Sequence, residues 1–220
     1  MSTIVTCPVA AGGGYDALRA IAEPRLHAFC EAHGYDLVTP DLAMIDGRGP
    51  AWVKVPHLIE LLDAYDDVLL LDADTVIMRT EVPFPSDEMR EDGGCMALVE
   101  QVVPWAGEGH VPNTGVWGVN RDAVALLEAI WRWPGDHNGQ YANEPWMEQS
   151  AYMAVVGYEM RKPHPPLDAV SIEHHGIWHL EPDWNRLKDE PLDTAIIRHA
   201  SGLGITYEMR ERLMTEWVAQ

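Results

Sequence analysis

Apolar residues along this chain fall into short runs separated by stretches with a helical repeat. Ile4–Cys7, YDLVT at 35–39, Val68–Leu71, CMALV at 95–99 and VWGV at 116–119 have the length and composition of strands. Between them the spacing changes to three and four. PAWVKVPHLIELLDAY at 50–65 brings Val53, His57, Leu58 and Leu61 near one helix face, with Pro56 in the first turns. Pro24 starts or restarts a helix through RLHAFCEAH, which Gly34 ends as the residue just beyond it. RDAVALLEAIWRW, EQSAYMAVVGY and ITYEMRERLMTEWVAQ are further helices. Asp122 in the first turn of one favours its dipole, and Gly157 ends the next.

The segments AAGGGY and DLAMIDGRGP are a flexible turn and a loop; RKPHPPLDAV and IEHHGIWHLEPDW are irregular. IIRHASGLG is a late strand running into a glycine turn. Early alternation of strand and helix predicts an α/β fold with a mostly parallel central sheet.

Composition narrows the picture. A chain of 220 residues, 47% hydrophobic, suits one globular domain over 1–220 that buries roughly 70% of its unfolded surface. No run of 18 apolar residues suggests a membrane span, and MSTIVTCPVAAGGGYDALRA lacks the basic leader of a signal peptide. Cys7, Cys30 and Cys95 are odd in number and widely spaced, which fits a reducing compartment, so the expected location is cytoplasmic. A net charge of −20 disfavours direct binding to nucleic acid, where Lys and Arg on phosphates supply the affinity. Its ordinary meaning is solubility.

The chemistry gathers at VLLLDADTVIMRT, residues 68–80. A buried strand ends on two acids one residue apart, and ligands of open α/β sheets gather beyond the carboxyl ends of strands. Alone, D-x-D is a weak signal in a chain this rich in Asp. Mg²⁺ or Mn²⁺ commonly joins one or two carboxylates to substrate phosphates, so Asp72 and Asp74 are candidate ligands. A haloacid dehalogenase-like phosphatase also has an apolar run before D-x-D-x-T/V, with Asp72 as nucleophile and Asp74 as acid and base. That chemistry needs a later paired-acid or GDxxxD motif, and neither an adjacent Asp pair nor a GDxxxD follows Asp74. A polar strand end without chemistry is the third alternative.

Five blocks in order, HGYDLV, PAWVKVPHLIELLDAYDDVLLLDADTVI, NTGVWGVN, EQSAYM and IIRHASG, resemble the galactosyl-, xylosyl- and mannosyltransferases of glycosyltransferase family 34 over most of residues 25–205. The resemblance implies one GT-A-type, Rossmann-like domain. It also implies retaining, Mn²⁺- or Mg²⁺-assisted transfer of a hexose or pentose from a UDP-linked donor to a hydroxyl acceptor. On this resemblance Asp72, Asp74 and His199 are the metal ligands, and Thr6, Lys54, Asp72, Ala73 and Gly115 lie at the donor. Asn113, Glu148 and Gln149 are the catalytic candidates around the transferred sugar. Two departures stand out: Met147 replaces one of two acids before the Gln, and no Lys follows His199 closely, so Arg198 or Lys54 would grip the diphosphate. Without an N-terminal anchor, a soluble bacterial or viral relative fits best. The acceptor is a saccharide or other hydroxyl, with a modified DNA base left open. A non-catalytic sugar-nucleotide-binding protein would share these residues without turnover.

Each residue also has an ordinary reading: Lys54 as a solvated lysine, His199 as a core histidine, Glu148 and Gln149 as first-turn residues, Asn113–Gly115 as a turn. His174, His175 and His179 lack the cysteines and spacing of a zinc site. Trp105, Trp146 and Trp178 fall in loop-like segments where a ring can stack on a sugar or base.

Overall fold

The computed structural model describes residues 2–103, 109–143, 146–157, 176–187, 194–201 and 205–220. The chain opens with β1 (Thr3–Thr6), β2 (Val9–Ala10), α1 (Asp16–His33), β3 (Asp36–Val38) and β4 (Asp41–Leu42). A 3-10 turn over Pro50–Val53 leads into α2 (Lys54–Ala64), then β5 (Asp67–Leu71), β6 (Thr75–Ile77) and α3 (Ser86–Glu91). The long strands β7 (Met96–Val103) and β8 (Gly109–Asn120) precede α4 (Val124–Asp136) and α5 (Met147–Val155). The described chain ends with β9 (Ile177–Leu180), β10 (Arg186–Leu187), β11 (Ile197–His199) and α6 (Tyr207–Val218).

The central sheet has six strands in the order β3-β1-β5-β8-β7-β9. β1 pairs parallel with β3 and β5, and β7 with β9, while β8 runs antiparallel to both neighbours. The expected α/β fold with a mostly parallel sheet is observed. Its central strand β5 carries an unbroken apolar run, Val68–Leu71, because both of its faces are covered. Leu69 and Leu71 pack with Leu18, Leu26 and Phe29 of α1 and Trp217 of α6. Val68 and Leu70 pack on the other face with Leu58 of α2, Ile130 of α4 and Tyr152 of α5. Alternate side chains of one strand thus serve two cores.

Three expectations are revised. Helix α1 does not begin at Pro24 but runs through it. An internal proline costs about 3 kcal/mol. Here Pro24 and Ala20, the residue four before it, lie on the exposed face, while Leu18, Ala22, Leu26 and Phe29 hold the buried face. The loop at 41–50 begins with a two-residue strand paired to Val9–Ala10. Ile177–Leu180, expected to be irregular, forms the sheet edge beside β7.

A second sheet of three strands, β10-β11-β6, sits past the carboxyl end of β5. β11 lies antiparallel to β6 with His199 opposite Thr75. This pairing brings the late strand to the acidic turn. Among the described residues no helix is long and apolar enough to cross a membrane.

Candidate metal and nucleotide-sugar site

The chain turns sharply after β5. The backbone N–H and hydroxyl of Thr75 both donate to the Asp72 carbonyl, at 3.0 and 2.7 Å, closing a turn over Asp72–Thr75. The Asp72 N–H donates to the Gly115 carbonyl at 2.8 Å, and the Ala200 N–H to the Asp74 carbonyl at 2.8 Å. Both acids are therefore tied through the backbone to β8 and to the end of β11. Ala73, between them, is buried.

Asp72, Asp74 and His199 each present one ligand atom, and these atoms lie within 4.8 Å of one another. His199 Nε2 is 3.1 Å from Asp74 Oδ1, across 125 residues of sequence. Arg210 of α6 donates to Asp74 Oδ2. Burial acts to raise the Asp74 carboxyl, but the charges of His199 and Arg210 and the His199 hydrogen bond outweigh it and hold it below the usual carboxylate range. The Asp72 side chain is the more open of the two acids, at 28% exposure against 6% for Asp74.

Lys54 is neither solvated nor free. Its Nζ lies 2.9 Å from Asp72 Oδ1 and 2.6 Å from Glu148 Oε1, and donates to the Thr114 carbonyl at 3.3 Å. Burial acts to lower its ammonium pKa, yet the two carboxylates outweigh that and hold it above the ordinary lysine range. Glu148 is buried; its Oε1 also accepts from the Thr114 hydroxyl at 3.0 Å, and its Oε2 has no partner among the described residues. Gln149 is half-buried, and its Oε1 accepts from the Thr114 N–H at 3.3 Å. Trp146 and Met147, just before these two, take positive φ of 68° and 37°. Such conformations cost about 1–3 kcal/mol for a non-glycine residue, and here they aim the first turn of α5 at Lys54.

Asn113–Gly115 is not a turn but a bulge in β8. Leu98 of β7 pairs with Trp117 and Val99 with Asn113, so residues 114–116 are passed over. Gly115 is required there by close approach. A Cβ at that position would lie 2.7 Å from His199 Nδ1. Thr6, at the end of β1, is fully buried with its hydroxyl 2.9 Å from His57 Nε2.

Several contributors carry no sequence signal. Arg210, near the start of α6, and Asn185 and Gln101 look like ordinary polar residues until the fold brings them in. Arg198 points away from the acids, reaching Gln220 and the Trp217 ring. Trp178 donates from its indole to Asp92, away from the acidic turn. Trp105, His174 and His175 lie outside the described residues, as does the His179 side chain.

The donor set fits a hard divalent cation. Three carboxylates (Asp72, Asp74, Glu148) face two permanent cations (Lys54, Arg210), leaving one net negative charge apart from His199. Adding a dication would turn the site positive, which suits an anionic ligand.

This sheet, with an acidic turn after its central strand and a late strand returning to it, defines a fold of the glycosyltransferase GT-A type. No protein-family model and no curated protein matches the chain. Solved structures do. A glycosyltransferase involved in glycosylation of the major capsid of PBCV-1 aligns with TM-score 0.67 and 15% identity over 98% of this chain and 100% of that one. GlyE, a glycosyltransferase of Streptococcus pneumoniae TIGR4, aligns with TM-score 0.59 and 13% identity over 100% of this chain and 61% of that one. Mouse xyloside xylosyltransferase 1 aligns with TM-score 0.52 and 12% identity over 90% and 97%. At these identities the likeness concerns the fold.

Proposed function

We propose that the protein is a metal-dependent glycosyltransferase that moves a hexose or pentose from a nucleotide sugar, UDP-linked, to a hydroxyl acceptor. One observation carries the reading: Asp72, Asp74 and His199 converge within 4.8 Å at the carboxyl end of a GT-A-type sheet. Phosphatase chemistry through Asp72 and Asp74 has no use for an imidazole brought from a distant strand.

In this reading Asp72, Asp74 and His199 hold Mn²⁺ or Mg²⁺, which when bound neutralises charge on the departing diphosphate. Arg210, already on Asp74 and part-exposed, supplies a second cation for that diphosphate. This fills the role of the lysine missing after His199. Lys54 fixes Asp72 against Glu148 and the bulge. Glu148, buried under Lys54 and Thr114, acts by holding this frame and by negative potential below the developing cationic sugar. Gln149 uses its Oε1 on Thr114, which leaves its amide NH₂ to donate to a sugar hydroxyl. Asn113 and Gly115 shape the wall of the sugar pocket, and Thr6 and Ala73 back the donor side. Retention of anomeric configuration follows if the acceptor attacks from the face the diphosphate leaves.

The test is a panel of nucleotide sugars incubated with the protein and Mn²⁺, with free nucleotide measured. Nucleotide release from at least one sugar, dependent on Mn²⁺ and stimulated by a hydroxyl acceptor, is the expected result. Metal-dependent UDP binding without release from any sugar would favour a non-catalytic binder. Hydrolysis of an aryl phosphate, lost in Asp72→Asn, would restore the phosphatase.

A further inference from the structure

Behind His199 lies a closed set of three side-chain amides whose orientations follow from backbone groups of fixed polarity. The Gly115 N–H, which only donates, points at Asn113 at 2.7 Å, so the Asn113 atom facing it is the carbonyl oxygen Oδ1. The Asn185 backbone carbonyl, which only accepts, lies 3.3 Å from Gln101, so Gln101 turns its Nε2 there. The Gln101 Oε1 is then left to accept from Asn113 Nδ2 at 2.7 Å, consistent with the first assignment. Asn185 meets Asn113 Oδ1 at 2.9 Å and must offer its Nδ2. Its own Oδ1 therefore faces His199 Nδ1, at 3.0 Å.

A carbonyl oxygen at that distance requires a proton on Nδ1. The other ring nitrogen, Nε2, faces a carboxylate oxygen at 3.1 Å, and in the neutral ring it carries a lone pair. Two acceptors in contact need a positive charge between them, a proton or a metal ion. Asn185 and Gln101 are both buried, at 1% and 6% exposure, and neither reaches the open side of the site. Gly115 completes the arrangement, since any side chain there would collide with the imidazole.

We propose that Asn185, oriented by Asn113 and Gln101, is a positioning residue that holds the His199 proton on Nδ1 and presents Nε2 toward Asp74 as a metal ligand. The ligand half rests on the metal site proposed above; the location of the proton does not. Asn113 then acts as the hinge of this relay, its carbonyl oxygen shared between the Gly115 N–H and Asn185, with one amide N–H left over for a sugar.

Two measurements on the full chain test the proposal. In ¹⁵N-histidine-labelled protein, NMR of His199 is expected to show a protonated Nδ1 both without metal and with Mg²⁺ and UDP. An unprotonated Nδ1 in either state overturns it. Mn²⁺ affinity in the presence of UDP, read from the spin-resonance signal of free Mn²⁺, is expected to fall about 10–100-fold in Asn185→Leu, the size seen when a partner behind a metal-bound histidine is lost. Asn185→Asp, whose carboxylate still accepts from Nδ1–H but turns its second oxygen toward Asn113 Oδ1, is expected to recover part of that loss. A merely structural asparagine would lower thermal stability in both variants without separating their Mn²⁺ affinities. An Asn185→Leu protein that folds and binds Mn²⁺ within about twofold of the wild type overturns the proposal. Should Asn185→Leu not fold, the wild-type NMR result decides. A protonated Nδ1 in a wild type that binds no Mn²⁺ supports the proton assignment and sinks the metal reading instead.

Discussion

Strand β5 starts on one aspartate and runs into two more, and its ends use them differently. Asp67, at the amino end, is fully buried; its Oδ1 pairs with Arg90 and its Oδ2 has no partner among the described residues. Burial dominates there and pushes its carboxyl above the usual range, despite Arg90. Asp74, past the carboxyl end, is buried almost as deeply, yet its carboxyl is held low. Each acid has one arginine on it. The difference is His199, which approaches Asp74 from another strand, while no comparable group among the described residues approaches Asp67. A single buried ion pair is thus a structural feature. Several donors converging beyond strand ends, one acid left part-open, is the arrangement of a ligand site. Among the described residues no second cluster of this kind occurs.

The sharpest way to break this comparison is to neutralise each acid in turn. Asp74→Asn should weaken Mn²⁺-dependent UDP binding by more than about 100-fold, since it removes a ligand and not just a ligand's support. Asp67→Asn should leave that binding unchanged; calorimetry with and without chelator checks both. Equal UDP affinity of the wild type in chelator and in Mn²⁺ would remove the metal from the account altogether. Because Asp74 is buried between His199 and Arg210, its Asn variant should also lose some stability, which a purely exposed strand-end acid would not.

The next effect belongs to the other end. Arg90→Ala strips the only described partner from the Asp67 carboxylate and should cost about 2–3 kcal/mol, at the low side for breaking a buried pair because Arg90 itself is part-exposed. Urea unfolding measures it, and UDP affinity should not move. Gly115→Ala comes next. The new methyl displaces the His199 ring, so Mn²⁺ affinity should fall roughly tenfold with little change at the Asp67 end.

The smallest effect is a tilt of stability with pH in the metal-free protein. Asp74 has a depressed folded pKa, so its contribution is present above the ordinary carboxylate value and is lost as pH falls through the depressed one. Asp67 has a raised folded pKa, so the folded state holds its proton more tightly. Its effect runs the other way, with stability declining as pH rises from the ordinary value through the raised one. Urea midpoints across the acid range should therefore lose part of their acid sensitivity in Asp74→Asn and part of the opposite slope in Asp67→Asn. Identical slopes in the two variants would contradict the assigned environments.

Much of this was legible in the chain itself. Runs such as Val68–Leu71 announce strands because a both-sides-buried strand has no polar face to show, and Gly34 marks a helix end through its left-handed φ of 69°. The acids at the end of β5 were visible as a motif, and His199 as a histidine after a late apolar strand. The course of α1 through Pro24 was not, because a local penalty of about 3 kcal/mol yields to packing that only the folded helix makes. Nor was β9, an edge strand whose partner lies some 80 residues earlier and whose pairing is therefore invisible to local pattern. At the site, residue identity decided which atoms can ligate, donate or accept. Tertiary structure decided which of them meet: the pairing of His199 with Thr75 across two strands, the seat of Arg210 on Asp74, and the amides of Gln101, Asn113 and Asn185 behind the imidazole. Hydrogen bonds and ion pairs act over a few ångströms, so sequence separation carries no information about them until the backbone has closed that distance.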